Sequence, residues 1–88
     1  MLRITRHDQE VAAVTLKLEG RLTGPWSQEL DRVAGDAIQG GTALVLDLSD
    51  LMFVDTAGVE LLRTLGARGA SFRGGSSFVT ALLYGDHP

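Results

Sequence analysis

One short stretch of the chain combines residue types that can carry out chemistry. Asp55 and Thr56 follow the apolar segment 51–54 and precede a predicted helix, where free backbone N–H groups and the positive end of the helix dipole converge. Two interpretations are open. Either Asp55 or Thr56 only caps the N–H groups of Val59 and its neighbours, or Thr56 accepts a phosphate that adds close to two negative charges on a partner-binding surface. Phosphorylation would then weaken binding without unfolding the domain.

No other group of residues has the spacing of a known catalytic or cofactor motif. The sequence has no metalloprotease, nucleophile-elbow, P-loop or dinucleotide-binding pattern, and its carboxylates are scattered over predicted helix surfaces. It has no cysteine, which removes disulfides, thiolate zinc sites and cysteine nucleophiles. His7 and His87 lie in polar segments near the two ends and receive no role. We therefore predict no enzymatic activity, no metal and no cofactor.

Trp26 is the only tryptophan of the chain and follows Gly24 and Pro25 at the start of the first predicted helix. An amphipathic ring at this position either packs over the edge of the sheet as part of the core or anchors an interface with a partner. The position in the sequence leaves both interpretations open.

The elements that position these residues begin with a predicted hairpin. From position 11 onward two sets of residues alternate, and this period of two places Val14, Leu16 and Leu18 on one face of a strand. The alternating sets are Val11, Ala13, Thr15, Lys17, Glu19 and Ala12, Val14, Leu16, Leu18. Leu2 and Ile4 suggest a shorter strand before it. Residues 7–10 are polar and are predicted to form the turn of the hairpin.

A helix is predicted next, with Gly24 as its N-cap and Pro25 in its first turn. It is predicted to end at Gly40 and Gly41. Apolar residues recur along it at helical spacing and form one stripe that must cover a sheet. The stripe consists of Leu30, Val33, Ala34, Ala37 and Ile38.

The second half of the chain predicts a strand, a helix, a strand and a helix. Residues 43–47 read as a central parallel strand that is apolar on both faces, ending at a polar break at 48–50. A helix with Ala57, Leu61 and Leu65 on one side follows and ends at Gly66 and Gly69. Residues 70–73 are a candidate fourth strand, and a last short helix extends from position 76 or 77 to position 83.

This order of elements predicts the fold class. We expect a single α/β domain with a small mixed sheet of about four strands and with helices packed mainly on one face. The 88 residues leave room for one core only. We find no internal repeat and no linker, so residues 1–88 are interpreted as one domain.

Charge and hydropathy narrow the range of partners. The formal net charge of −3, from 8 basic and 11 acidic residues, argues against nucleic acid as a partner. No apolar run approaches the length of about 18 to 20 residues that is needed to cross a bilayer, and the amino end lacks the apolar core of a signal peptide. We expect a cytoplasmic protein that does not insert into membranes.

With these elements in place, the chain resembles the STAS domains of anti-sigma factor antagonists and their relatives. The resemblance covers about residues 11–83 and rests on four segments in the order of the family. They are 18–22 (LEGRL), 45–49 (VLDLS), 53–58 (FVDTAG) and 75–79 (GSSFV).

The resemblance implies a cytoplasmic regulatory module that acts through a protein partner. In antagonists of this family, the hydroxyl residue directly after the aspartate is phosphorylated by an anti-sigma factor that is also a kinase, and Thr56 matches it. The unphosphorylated antagonist binds the kinase and frees the sigma factor. The partner-binding residues expected from this match and from the residues at the helix starts are Thr23, Pro25, Trp26, Asp55, Thr56, Ala57, Gly58, Val59 and Leu62.

Two other functions stay open at this point. The chain also resembles the small STAS subunits that bind the ATPase of lipid-exporting ABC transporters, in which Thr56 would make interface contacts without accepting phosphate. A small-ligand sensor that uses the glycine-rich region 66–75 is a third possibility. Thr23 occupies a position where many antagonists carry an acidic residue, and serine is the more usual acceptor at position 56.

Overall fold

The computed structural model describes residues 1–10 and 13–75 of the chain. It contains six elements, in the order strand, strand, helix, strand, helix, strand. Their bounds are Leu2–Glu10 (β1), Ala13–Leu22 (β2), Pro25–Gln39 (α1), Ala43–Val54 (β3), Thr56–Ala67 (α2) and Ser71–Arg73 (β4). This order confirms the first six predicted elements. The predicted last helix lies outside the described residues.

The four strands form one mixed sheet in the order β1-β2-β3-β4. β1 pairs antiparallel with β2, whereas β2 pairs parallel with β3 and β3 pairs parallel with β4. Each parallel pair is connected through a helix, α1 for the first and α2 for the second, because parallel neighbours need a long crossover. The predicted mixed α/β architecture is confirmed.

The two helices pack against one face of the sheet and against each other. Leucine and other apolar side chains point to this face at every second position of β2 and β3, and the predicted stripe of α1 meets them there. The buried core includes Val14, Leu16, Leu18, Leu30, Ala34, Leu44, Leu46, Leu48, Leu62 and Leu65. Burial of a leucine of this kind contributes about 1.5 to 3 kcal/mol to folding.

Residues 43–47 lie in a central parallel strand, as predicted, but the two faces of this strand are not equally buried. Leu44 and Leu46 are 2% and 0% exposed, whereas Val45 and Asp47 between them are only half-buried. Both helices lie on the face of Leu44 and Leu46, so the opposite face of β3 has no helix of this pair to cover it. A run of apolar residues therefore does not by itself indicate a strand that is covered on both sides.

The predicted turn at residues 7–10 is also wrong, because β1 continues through this segment. His7 pairs with Thr15 and Glu10 pairs with Ala13, with an irregularity between the two pairs. β1 is an edge strand, and the polar side chains of His7 and Asp8 are exposed. Polar residues are tolerated in an edge strand of this kind, so they do not mark its end.

The predicted polar break at 48–50 lies inside β3, which runs for 12 residues. The register with β2 shifts twice there, so that β3 advances from Asp47 to Phe53 while β2 advances only from Lys17 to Arg21. At each shift β3 has one residue more than β2, which is the residue count of a bulge, and such a shift turns side chains in new directions. As a result, the adjacent residues Met52 and Phe53 are both exposed.

The helix boundaries agree with the predictions except at one glycine. Gly24 and Pro25 begin α1, as predicted. Gly66 does not end α2 but lies inside it, where a Cβ atom would come within 3.0 Å of Cε2 of Phe72. Gly69, with φ +112°, follows the helix. Gly66 thus lets α2 pack closely against β4.

One polar side chain of α1, that of Ser27, is buried. Ser27 is 9% exposed, and its Oγ has no hydrogen-bond partner in the part of the chain that the structure describes. A buried hydroxyl without a partner costs about 1 to 3 kcal/mol of desolvation, and alanine is the better helix former.

We therefore expect Ser27→Ala to raise the free energy of unfolding by about 1 kcal/mol. Urea unfolding followed by circular dichroism measures the change. Ser71→Ala, at an exposed position of β4, is the control and should stay within about 0.5 kcal/mol of the wild type. A loss of stability in Ser27→Ala would contradict the absence of a partner.

Candidate functional site

The carboxylate of Asp55 connects the first turns of both helices. Its Oδ1 accepts a hydrogen bond of 2.8 Å from the backbone N–H of Gly58, in the first turn of α2. Its Oδ2 accepts a hydrogen bond of 3.0 Å from the backbone N–H of Gly24, the N-cap residue of α1. One side chain therefore caps α2 and ties it to the start of α1.

Backbone hydrogen bonds fix Asp55 itself at the ends of two strands. The N–H of Asp55 donates to the carbonyl of Leu22, the last residue of β2, at 3.1 Å. The carbonyl of Asp55 accepts from the N–H of Val59 at 2.9 Å, which is the first helical bond of α2. The ends of β2 and β3 and the starts of α1 and α2 thus meet at this residue.

These contacts keep Asp55 ionised. The hydrogen bond from the N–H of Gly24, followed by that from Gly58, lowers the pKa of the Asp55 carboxyl below its ordinary value, against a smaller opposing effect of desolvation. A carboxylate with both oxygens accepting backbone N–H groups is suited to hold structure and to carry charge. It is not suited to donate a proton near neutral pH.

Thr56 is the first residue of α2 and is exposed. Of the two interpretations of the Asp-Thr pair, the capping role belongs to Asp55, whose side chain accepts from Gly58. The hydroxyl of Thr56 is therefore not needed as a cap and lies at the surface, at the positive end of the helix dipole. Ala57 beside it is also exposed.

Gly58 is buried, and its role is internal. A Cβ atom at this position would come within 2.7 Å of Cγ1 of Val54 and within 2.9 Å of the carbonyl oxygen of Leu22. Distances this short are not tolerated, so glycine lets the start of α2 lie directly on the ends of the strands. Gly58 was expected among the partner-binding residues, but the close approach that it allows is made by the protein's own backbone.

The prediction that Leu62 is a partner-binding residue is wrong. It is 0% exposed and belongs to the core, so it supports α2 from beneath and has no surface to offer a partner. Val59 is half-buried and packs against the core. On α2 the exposed members of the predicted set are Thr56 and Ala57.

The predicted residues before α1 lie at the same end of the sheet. The hydrogen bond between Gly24 and Asp55 brings Thr23 and Pro25 close to the start of α2. Thr23 is half-buried and its carbonyl accepts from the N–H of Trp26 at 2.9 Å, whereas Pro25 is exposed. Trp26 is 37% exposed, so its ring is packed in part and still reaches the surface.

Three exposed residues near this site were not singled out from the sequence. The guanidinium of Arg21 lies 5.2 Å from the ring centroid of Phe53, its neighbour across β2 and β3. Met52 is 78% exposed and Phe53 is 37% exposed. Four apolar residues in a row cannot all face one side of a strand, and this signal in the segment 51–54 indicates that some of them are exposed.

Two further observations bear on the kind of site. Within residues 1–10 and 13–75, no three histidine or acidic side chains lie close enough to hold a metal ion. None of the helices in the described part of the chain is long and apolar enough to span a bilayer.

The sequence matches a model of one protein family. A family model described as "Mlab, STAS domain" matches residues 5–83, which is most of the chain. No curated protein matches the chain by sequence.

Solved structures of anti-sigma factor antagonists share the fold. The unphosphorylated form of the antagonist SpoIIAA is 21% identical, with a TM-score of 0.74 over 98% of this chain and 84% of the other. An antagonist from Mycobacterium paratuberculosis is 19% identical, with a TM-score of 0.75 over 97% of this chain and 79% of the other. A STAS domain from Rhodobacter sphaeroides is 16% identical, with a TM-score of 0.58 over 84% and 85%.

The hydrogen bonds of Asp55 predict a pH-dependent contribution to stability. We expect Asp55→Ala to lower the free energy of unfolding, because the N–H groups of Gly24 and Gly58 lose their acceptor. The free energy of unfolding of Asp55→Asn should lie between those of the wild type and Asp55→Ala, since its amide keeps one acceptor oxygen. Because the pKa of Asp55 is lowered on folding, its carboxylate stabilises the protein above the pKa of an unfolded aspartate, and this contribution is lost as pH falls through the lower folded value.

Urea unfolding of the wild type and of Asp55→Asn from neutral pH down to about pH 2 tests this. The difference between them should be largest near neutral pH and should shrink on acidification. Asp31→Asn, at an exposed position of α1, is the control and should match the wild type throughout. A difference for Asp55→Asn that does not change with pH would contradict the role of the charge.

Proposed function

The chain belongs to the STAS domain family, and on that premise we propose that it is a non-enzymatic regulator of the anti-sigma factor antagonist kind. It binds an anti-sigma factor that is also a protein kinase, through the surface around Thr56. The kinase phosphorylates Thr56, and the phosphorylated protein releases its partner. Both steps take place in the cytoplasm.

The exposure of Thr56 is the observation that carries this proposal. The side chain lies at the surface at the start of α2, while the neighbouring carboxylate of Asp55 caps the helix. A kinase needs a hydroxyl that is accessible and that the fold does not use for its own hydrogen bonds. Within residues 1–10 and 13–75, Thr56 meets both requirements, and its modification leaves the capping interactions in place.

The charge at the site supports a switch in affinity without a change of fold. A phosphate on Thr56 adds about −1.5 to −2 charges next to the ionised Asp55. The helix N-terminus favours negative charge, so α2 tolerates the phosphate. A partner that fits the neutral hydroxyl loses this fit, because it meets a bulky dianion on the surface that it must contact.

A second candidate function is the STAS subunit of an ABC transporter, bound to the ATPase. The description of the matching family model favours it, since that model is named Mlab and not as an antagonist. The same exposed surface at Thr56 and Ala57 would then form a permanent contact. In this case Thr56 contributes packing and hydrogen bonding, and no phosphate is transferred.

Phosphorylation by the candidate kinase tests the first function. We expect the purified kinase and radiolabelled ATP to label the wild-type protein and to leave Thr56→Ala unlabelled. Thr64→Ala, which removes another exposed threonine of α2, is the matched control and should be labelled like the wild type. Mass spectrometry of the labelled protein should place one phosphate on Thr56.

Two outcomes would contradict the first function. Equal labelling of Thr56→Ala would remove Thr56 as the acceptor. The absence of both labelling and kinase binding, together with co-purification of an ATPase subunit that Thr56→Ala retains, would favour the transporter function.

A further inference from the structure

Three exposed residues form a platform beside the site described above. We define the platform as Arg21, Met52 and Phe53. Together they line a shallow surface depression of about 370 Å³. Met52 is 78% exposed and Phe53 is 37% exposed, which is unusual for two consecutive apolar residues in the strand that supports the core.

The platform lies within reach of any protein that covers Thr56. Phe53 precedes Thr56 by three residues, so their Cα atoms are at most about 10 Å apart. Arg21 is the neighbour of Phe53 on the adjacent strand, about 4.8 Å away. A standard protein interface covers about 800 Å² on each partner. By distance, the platform therefore lies within the area that a standard interface centred on Thr56 spans.

The charge of Arg21 indicates the chemistry of the contact. In the described part of the chain Arg21 has no acidic partner, and its guanidinium is stacked on Phe53. Nearby charges are already engaged: Lys17 pairs with Asp50 at 3.0 Å, and Asp55 accepts two backbone hydrogen bonds. The N-termini of both helices add positive partial charge at the same end of the sheet. Arg21 is therefore an exposed cation that no ion pair of the described residues neutralises, in a chain with a net charge of −3.

We propose that the platform is a second contact region for the protein that binds at Thr56, and that it receives an apolar side chain flanked by a carboxylate. This inference rests on the proposed function. The apolar side chain packs on Met52 and Phe53, and the carboxylate pairs with Arg21. Stacking on Phe53 holds the guanidinium in place before binding, which reduces the entropy lost in forming the ion pair.

The platform also explains how one phosphate weakens the complex. A carboxylate that is drawn to Arg21 comes close to position 56, where the phosphate would stand. The dianion then repels the acidic group of the partner and competes with it for the positive charge of Arg21. The attraction in the unmodified complex and the repulsion in the modified one involve the same partner residue.

Affinity measurements with variants of the platform test the inference. The probe is the purified anti-sigma factor kinase, and calorimetry gives its Kd for the wild type, Met52→Asp and Arg21→Glu. We expect each variant to bind at least tenfold more weakly. Arg68→Glu, at an exposed position after α2 and about 18 Å from its start, is the control and should change Kd less than twofold. Circular dichroism confirms that each variant is folded.

Salt dependence and charge reversal supply a second readout. Raising the salt concentration from 50 to 300 mM should weaken binding of the kinase to the wild type more than its binding to Arg21→Gln. Salt screens the ion pair of Arg21, and Arg21→Gln does not have this pair. Exchange of the kinase's acidic residue that pairs with Arg21 for lysine should restore binding of the kinase to Arg21→Glu.

The outcomes separate the two proposals. If the kinase binds the wild type and all platform variants equally, the platform inference is overturned and the proposed function stands. If the kinase does not bind the wild type, the proposed function is wrong, and the platform inference, which rests on it, is also wrong. Binding of the wild type to phosphatidylglycerol vesicles that is lost in Met52→Asp, with unchanged affinity for the kinase, would also overturn the inference.

Discussion

The structure depends on one carboxylate that accepts hydrogen bonds from two helices at once. Asp55 joins the N–H of Gly24, at the start of α1, to the N–H of Gly58, at the start of α2. These donors are unsatisfied at any helix start, and a single ionised side chain serves one from each helix. Because Asp55 is also bonded through its backbone to Leu22, the strand ends and the helix starts are fixed relative to one another. The surface around Thr56 is built on this junction.

The sheet contributes a second constraint, because α1 and α2 cover the same face. The alternation of β2 and β3 sends leucines to that face, and the two register shifts in β3 interrupt the alternation near its end. The interruption leaves Met52 and Phe53 exposed next to Arg21. Contiguous exposed apolar groups mark surfaces that bind other molecules more often than single exposed ones do.

Much of this architecture could be predicted from local patterns. The stripe of α1, the glycine and proline at its start, and the position of α2 directly after Asp55 all follow from periodicity and capping, which depend on neighbours in the sequence. The errors arose where tertiary context decides. The polar residues of β1 stay in an edge strand, and the polar segment of β3 stays in a bulged strand, because pairing with β2 outweighs local composition.

In the site, too, local sequence predicts some features and tertiary contacts decide the others. Asp55 and Thr56 were recognisable as a pair, but which of them caps the helix depends on where the carboxylate points, and its bond to Gly24 spans 31 residues of sequence. Leu62 was expected among the partner-binding residues because it lies on α2, the helix that Thr56 begins. Its position beneath α2 follows only from the packing of that helix on the sheet.

The division of roles between Asp55 and Thr56 has a consequence for substitutions at position 56. Because the side chain of Asp55 caps α2, exchange of Thr56 for another small residue leaves the hydrogen bonds to Gly24 and Gly58 in place. The chemistry of the exposed side chain at the start of α2 can therefore change while the packing of both helices stays the same.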